Sequence, residues 1–131
     1  MLGNPYRAYQ QQSVMTMTQG ELLLALYDGI IKEISFAQCA FEQKNLAEIN
    51  KRLQKVQTMI TYLKTTLDYQ HPISQDLCSL YDYFIGVILQ ANLKKDDSEL
   101  PGIKQMVSEL RDVYAKADKI TRGSGSGRER A

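Results

Sequence analysis

The run Leu46, Ile49, Leu53, Val56, Ile60, Leu63 and Leu67 sets apolar residues alternately three and four positions apart. Only a helix gathers such positions into one stripe, and a sustained three–four alternation is the seam of a helix packed lengthwise on near-antiparallel neighbours. A chain with that seam needs partner helices of similar length, and three other segments supply them. Leu23, Leu26, Tyr27, Ile30, Ile34, Ala37 and Phe41 share one helical face, as do Leu77, Leu80, Tyr81, Phe84, Val87, Ile88 and Ala91. The fourth face is Ile103, Met106, Val107, Leu110, Val113, Tyr114, Ala117 and Ile120.

The boundaries can be read as well. Thr18-Gln19-Gly20-Glu21 is a capping box, in which the Thr18 hydroxyl and the Glu21 carboxylate each take the other's backbone N–H. Asp28-Gly29 could form a hairpin turn, but the apolar spacing runs through it unbroken and keeps it helical, at about 1 kcal/mol for a mid-helix glycine. A glycine there admits a close neighbour. Asn45, with Glu48 three residues on, caps the second helix, which ends before His71-Pro72. Ser74 is the expected cap of the third, and Asp97 or Ser98 of the fourth, with Pro101 in its first turn. Helices of roughly 20 to 26 residues, about 30–39 Å long, joined at Lys44, His71-Pro72-Ile73 and Lys95–Asp97, predict an all-α, antiparallel up-down four-helix bundle. Residues 1–17 then form a leader packing across the bundle, 18–122 the bundle, and 123–131 a flexible Gly/Ser tail.

Composition narrows the function. At 131 residues the chain suits one domain, and 44% apolar with 24% charged residues is ordinary globular composition. Sixteen basic against fifteen acidic residues give a net charge of +1, without the basic footprint of a nucleic-acid binder. Lys51, Arg52 and Lys55 read as a solvated helix face with Glu48 paired to Arg52. No apolar run approaches a membrane span, and no signal peptide is visible, so the expected location is the cytoplasm, with Cys39 and Cys78 as reduced, buried thiols.

Chemistry is sparse. A di-iron bundle needs several inward carboxylates and two Glu-x-x-His pairs, whereas His71 is the single histidine and stands before a proline. Zinc would need more ligands than Cys39, Cys78 and His71 supply. The serines lie in no nucleophile motif, and no glycine-rich phosphate loop occurs. The expectation is a protein without catalytic residues, metal or cofactor.

What remains is surplus apolar surface. Met59, Tyr62, Thr66 and Tyr69 run beside the seam of the second helix, Leu22 and Leu24 flank the first, and Tyr83 lies off the main face of the third. The leader adds Tyr6, Tyr9, Val14, Met15 and Met17. A bundle has one inside, so aromatic and methionine residues beyond it point to a groove read by a partner helix at i, i+3, i+4 spacing. The competing reading is a homodimeric adaptor or regulatory scaffold that uses this groove on itself.

"NPYRAYQQQSV" followed by "GELLLALYDG", together with the later block "LYDYFIGVILQAN" and its "LKKD", resembles the flagellar secretion chaperones of the FliS family. The likeness runs from Asn4 to about Ile120. It departs where the family commonly carries basic residues and this chain has Ile85-Gly86-Val87-Ile88, which makes that face unusually apolar. The resemblance implies an antiparallel bundle that holds the disordered C-terminal segment of flagellin in the cytoplasm, prevents its premature polymerisation and presents it to the export gate of the flagellar type III secretion apparatus. It also implies roles for individual residues. Tyr6 and Tyr9 match leader positions linked to gate docking and groove covering, and Leu26, Tyr27, Asp28 and Gly29 match the "LYDG" block. Tyr81, Tyr83 and Asn92 match the third-helix block, with Tyr83 and Asn92 as client contacts. Met59 and Tyr62 join them from the surplus row. A homodimer in the free state is compatible with this reading.

Overall fold

The computed structural model describes residues 17–130, with side chains through residue 120. Four helices follow one another: α1 Gln19–Glu42, α2 Leu46–Thr65, α3 Ile73–Lys94 and α4 Leu100–Arg130. The capping box forms as the sequence suggests. Glu21 N donates to Thr18 Oγ1 at 3.1 Å and Thr18 N to Glu21 Oε1 at 3.3 Å. Asn45 caps α2, its Oδ1 accepting from Glu48 N at 3.2 Å.

The later helix starts differ from expectation. The residue preceding α3 is Pro72, whose ring already fixes a helical φ of −56°, so Ser74 falls inside the first turn. Its buried hydroxyl donates to the Asp68 carbonyl at 2.5 Å and ties down the joint instead of capping. Before α4, the side-chain turn falls on Asp96, which accepts from Ser98 N at 2.9 Å, and neither Asp97 nor Ser98 serves as the expected cap. The bounds of α4 run to Arg130, past the Gly123 boundary assigned to a flexible tail. The joints after α1 and α3 both use lysine in the left-handed region, Lys44 at φ 56° and Lys95 at φ 51°.

Cross-helix contacts give the directions. Along α1, Gly20, Tyr27, Asp28 and Gln38 meet Asp118, Tyr114, Arg111 and Lys104 of α4 in descending order. Gly29 and Glu33 likewise meet Met59 and Arg52 of α2, and Asn50 and Lys64 of α2 meet Asn92 and Asp82 of α3. Neighbouring helices therefore run in opposite directions. The core is the expected set of stripes: Tyr27, Ile30 and Ile34 from α1, Leu53, Val56 and Ile60 from α2, Phe84 and Ile88 from α3, and Ile103 and Val107 from α4 are all at most 2% exposed.

Several expectations about burial fail. Leu46, at the first turn of α2, lies beyond the reach of its neighbours and is exposed. Met106, Val113 and Ile120, which the sequence places on the core face of α4, are also exposed, Val113 at 64% and Ile120 at 61%. Cys39 is exposed rather than buried and Cys78 half-buried, both as free thiols. The cause of the α4 mismatch is architectural. The helix α1 packs closely on α2 and α4, and α2 on α3, whereas α3 and α4 touch only sparsely. The bundle is open along that seam.

Candidate partner-binding groove

The α3–α4 seam is built from two helix faces that turn toward each other without closing. On α3, Tyr83, Val87, Gln90 and Lys94 recur at helical spacing beside the buried Phe84, Ile88 and Ala91. On α4, Gly102 and Met106 occupy the corresponding edge beside buried Ile103 and Val107, and Val113 and Ile120 continue the same edge at seven-residue steps. Near the α3–α4 joint lie two adjoining hollows of about 590 and 460 Å³, which share Tyr83, Ser98 and Glu99 as a common wall. Gly86 lines the first and Gly102 the second. Tyr83 is half-exposed at 51% and divides them. Exposed apolar side chains between two sparsely packed helices, above a core that is itself buried, are what an amphipathic helix needs for docking.

The other candidate residues hold the bundle in shape. Tyr27 and Tyr81 are buried and their hydroxyls hydrogen-bond each other, while the Tyr114 ring stacks on Tyr27 with centroids 5.4 Å apart. Burial, followed by the bond to Tyr81, drives the Tyr27 phenol far above its ordinary pKa, and burial pushes Tyr81 up to about 12. Both stay neutral, as a structural pair linking α1 to α3. Asp28 points the other way and accepts from Arg111 Nε of α4 at 2.9 Å. Gly29 sits under Met59, whose Cε would lie 2.5 Å from any added Cβ, so the close approach anticipated at this glycine is between α1 and α2.

Asn92 is 8% exposed and turned inward, its Nδ2 donating to Asn50 Oδ1 of α2 at 2.9 Å. The Lys95 ammonium bonds both its side-chain oxygen and its carbonyl, closing the C-terminus of α3. Tyr62 stands half-exposed on α2. Tyr6 and Tyr9 lie outside the described residues. Among the predicted residues, then, Gly29 and Met59 meet at the α1–α2 seam, Tyr83 stands on the α3–α4 seam, and Tyr27 and Asn92 are internal.

The expected Glu48–Arg52 pair forms, but its extension to Glu33 of α1 was not anticipated. Glu33 is 5% exposed and receives Arg52 at 3.1 Å and Lys55 at 3.0 Å, while Arg52 also holds Glu48 at 2.6 Å and lies over the Phe36 ring at 4.6 Å. Burial alone would raise the Glu33 pKa, but the bonds from Lys55 and Arg52 outweigh it and the net shift is downward. Lys51 and Lys55 are exposed as read, while Arg52 and the Lys55 ammonium also anchor α2 to Glu33 of α1. The groove's own signal in the sequence was the Met106, Val113, Ile120 heptad outside the Ile103, Val107, Leu110, Tyr114 row. Among the described residues no group of three potential metal ligands occurs, and no helix is long and apolar enough to cross a membrane.

Comparison with known proteins shows which family the sequence belongs to. Residues 2–121 match the family model described as flagellar protein FliS. A relative from Bacillus subtilis (strain 168), the flagellar secretion chaperone FliS, is 38% identical over 124 residues, covering 95% of this chain and 93% of that one. The proteins of the same name from Salmonella typhimurium and Escherichia coli (strain K12) are 30% and 26% identical over 115 and 110 residues, each covering 82% of this chain and 85% and 81% of their own. A family model matched along nearly the whole length and a relative of this identity give one conclusion: the chain belongs to the FliS family of flagellar secretion chaperones.

Proposed function

We propose that this protein is a cytoplasmic, non-catalytic export chaperone that holds the disordered C-terminal segment of flagellin, keeps it from polymerising early and delivers it to the flagellar type III secretion apparatus. The observation that carries the reading is the open α3–α4 seam, where Tyr83, Met106, Val113 and Ile120 leave apolar side chains exposed between two helices that touch only sparsely. A segment that folds only on binding can spread over a long groove of this kind, and its ordering cost keeps it releasable.

The leader is the second part of the proposal. Residues 1–16 would reach about 50 Å when extended, and α1 begins beside Asp118, at the bundle end remote from the α3–α4 joint. The leader can therefore return along the seam and shield it until the client displaces it, leaving Tyr6 and Tyr9 for the export gate. Removing residues 1–16 while keeping the Thr18 cap should raise binding of a dye that reports exposed apolar surface; unchanged fluorescence would remove the shielding step.

The client assignment is tested by titrating the full chain with a synthetic C-terminal flagellin segment, followed by calorimetry and far-UV circular dichroism. Heat at a defined stoichiometry, with helicity above the sum of the parts, is expected. Absence of both would exclude flagellin as client, and a self-association that persists on dilution would then favour the homodimeric scaffold.

A further inference from the structure

The four glycines between residues 17 and 120 divide into two pairs. Gly20 and Gly29 are in close contact with neighbouring side chains: an added Cβ would lie 2.0 Å from the Asp118 carboxylate at the first and 2.5 Å from Met59 Cε at the second, so a side-chain tip would have to move. At Gly86 and Gly102 an added Cβ would meet nothing within 4 Å. Neither has a positive φ that would favour glycine. Gly86 stands in the middle of α3, where glycine is a poorer helix former than alanine. Folding therefore gives no reason for either residue, and both line the hollows on the two sides of Tyr83.

We infer that Gly86 and Gly102 are specificity-determining positions of the client groove, hollows that each receive one bulky apolar side chain from a docked amphipathic helix, with the Tyr83 ring between them. The inference rests on the client reading above and adds the character of the client's contact face. The floor is apolar, formed by Val87 beside Gly86 and by Ile103 and Met106 beside Gly102. At the first hollow Asp96 is offset by Lys94, whereas the second is rimmed by Glu99 with no lysine or arginine among its lining residues, so a basic residue on the polar edge of the docked helix is matched at Glu99. A glycine at each point leaves the volume that a leucine- or phenylalanine-sized side chain occupies and lets the two backbones come close.

The test compares four full-length variants, Gly86→Ala, Gly86→Leu, Gly102→Ala and Gly102→Leu, by thermal unfolding and by calorimetric titration with the synthetic C-terminal flagellin segment. Because the added atoms meet open space, Gly86→Ala should melt about 2–5 °C higher than the wild type. Binding should move the opposite way, about threefold weaker for each alanine and tenfold or more for each leucine. Wild-type binding with all four variants within twofold of it would overturn the inference alone, as would a Gly86→Ala protein that melts lower. A wild type that does not bind would overturn the client reading and this inference with it, so the two failures remain distinct.

Discussion

Replacing Tyr27 with Phe removes one oxygen from the centre of the bundle, and the structure sets what that should cost. The Tyr27 and Tyr81 hydroxyls bond each other, with Tyr27 fully buried and Tyr81 1% exposed. Tyr27→Phe leaves the Tyr81 hydroxyl buried with its main partner gone, and an unsatisfied group of this kind costs about 1–3 kcal/mol. Tyr81→Phe does the same from the other side. The double variant removes both hydroxyls and the desolvation penalty with them, so it should be less destabilised than the sum of the singles by about 1–2 kcal/mol. In a domain of this size each kcal/mol moves Tm by about 3–6 °C, well within reach of denaturant or thermal unfolding followed by circular dichroism.

The same pair gives a pH signature. Both phenols have folded pKa values raised above 10.0, by burial first. The unfolded state therefore loses protons from pH about 10 while the folded state keeps them, and stability falls as pH rises, by about 1.4 kcal/mol per unit per tyrosine. For Tyr81 the fall continues to about pH 12. The double phenylalanine variant should lose much of this alkaline slope. Additive single variants, each costing under about 0.5 kcal/mol, with an unchanged alkaline slope, would refute the buried-pair argument.

Other consequences are read at acid pH, at a helix end and at the groove. The Glu33 pKa is lowered, so its contribution is present above the unfolded carboxyl value and is lost as pH falls through the folded one; Glu33→Gln should cost about 1–2 kcal/mol at neutral pH and flatten the acid limb of a stability–pH curve. Lys44 closes α1 at φ 56°, where a side chain is disfavoured, so Lys44→Gly should raise stability by about 0.5–1 kcal/mol in urea unfolding. Val113→Lys places a charge on the exposed seam face and should change Tm by less than about 2 °C while weakening binding of the flagellin segment at least tenfold by calorimetry.

The sequence carried the bundle because each helix repeats its apolar residues at a period only a helix satisfies, and Thr18 and Asn45 announced two starts through a partner three residues on. Ser74 misled because Pro72 had already taken the first helical geometry. The α4 stripe misled for a different reason. Met106, Val113 and Ile120 keep the same period as the core row beside them, and periodicity cannot tell a buried seam from an adjoining open one; that depends on whether α3 closes against α4. Glu33 was illegible because its partners Arg52 and Lys55 stand on another helix. Gly29 could be read as a point of close approach, but the meaning of Gly86 lies entirely in what is absent around it.

The central claim is that the client lies along the α3–α4 seam. Amide chemical-shift mapping by NMR of the full chain, with and without the C-terminal flagellin segment, tests it most directly. The account predicts the largest perturbations at Tyr83, Gly86, Gly102, Met106 and Val113, with Met59 and Tyr62 on α2 little changed. Perturbations confined to α1 and α2, with the Tyr83–Met106 region silent, would contradict it.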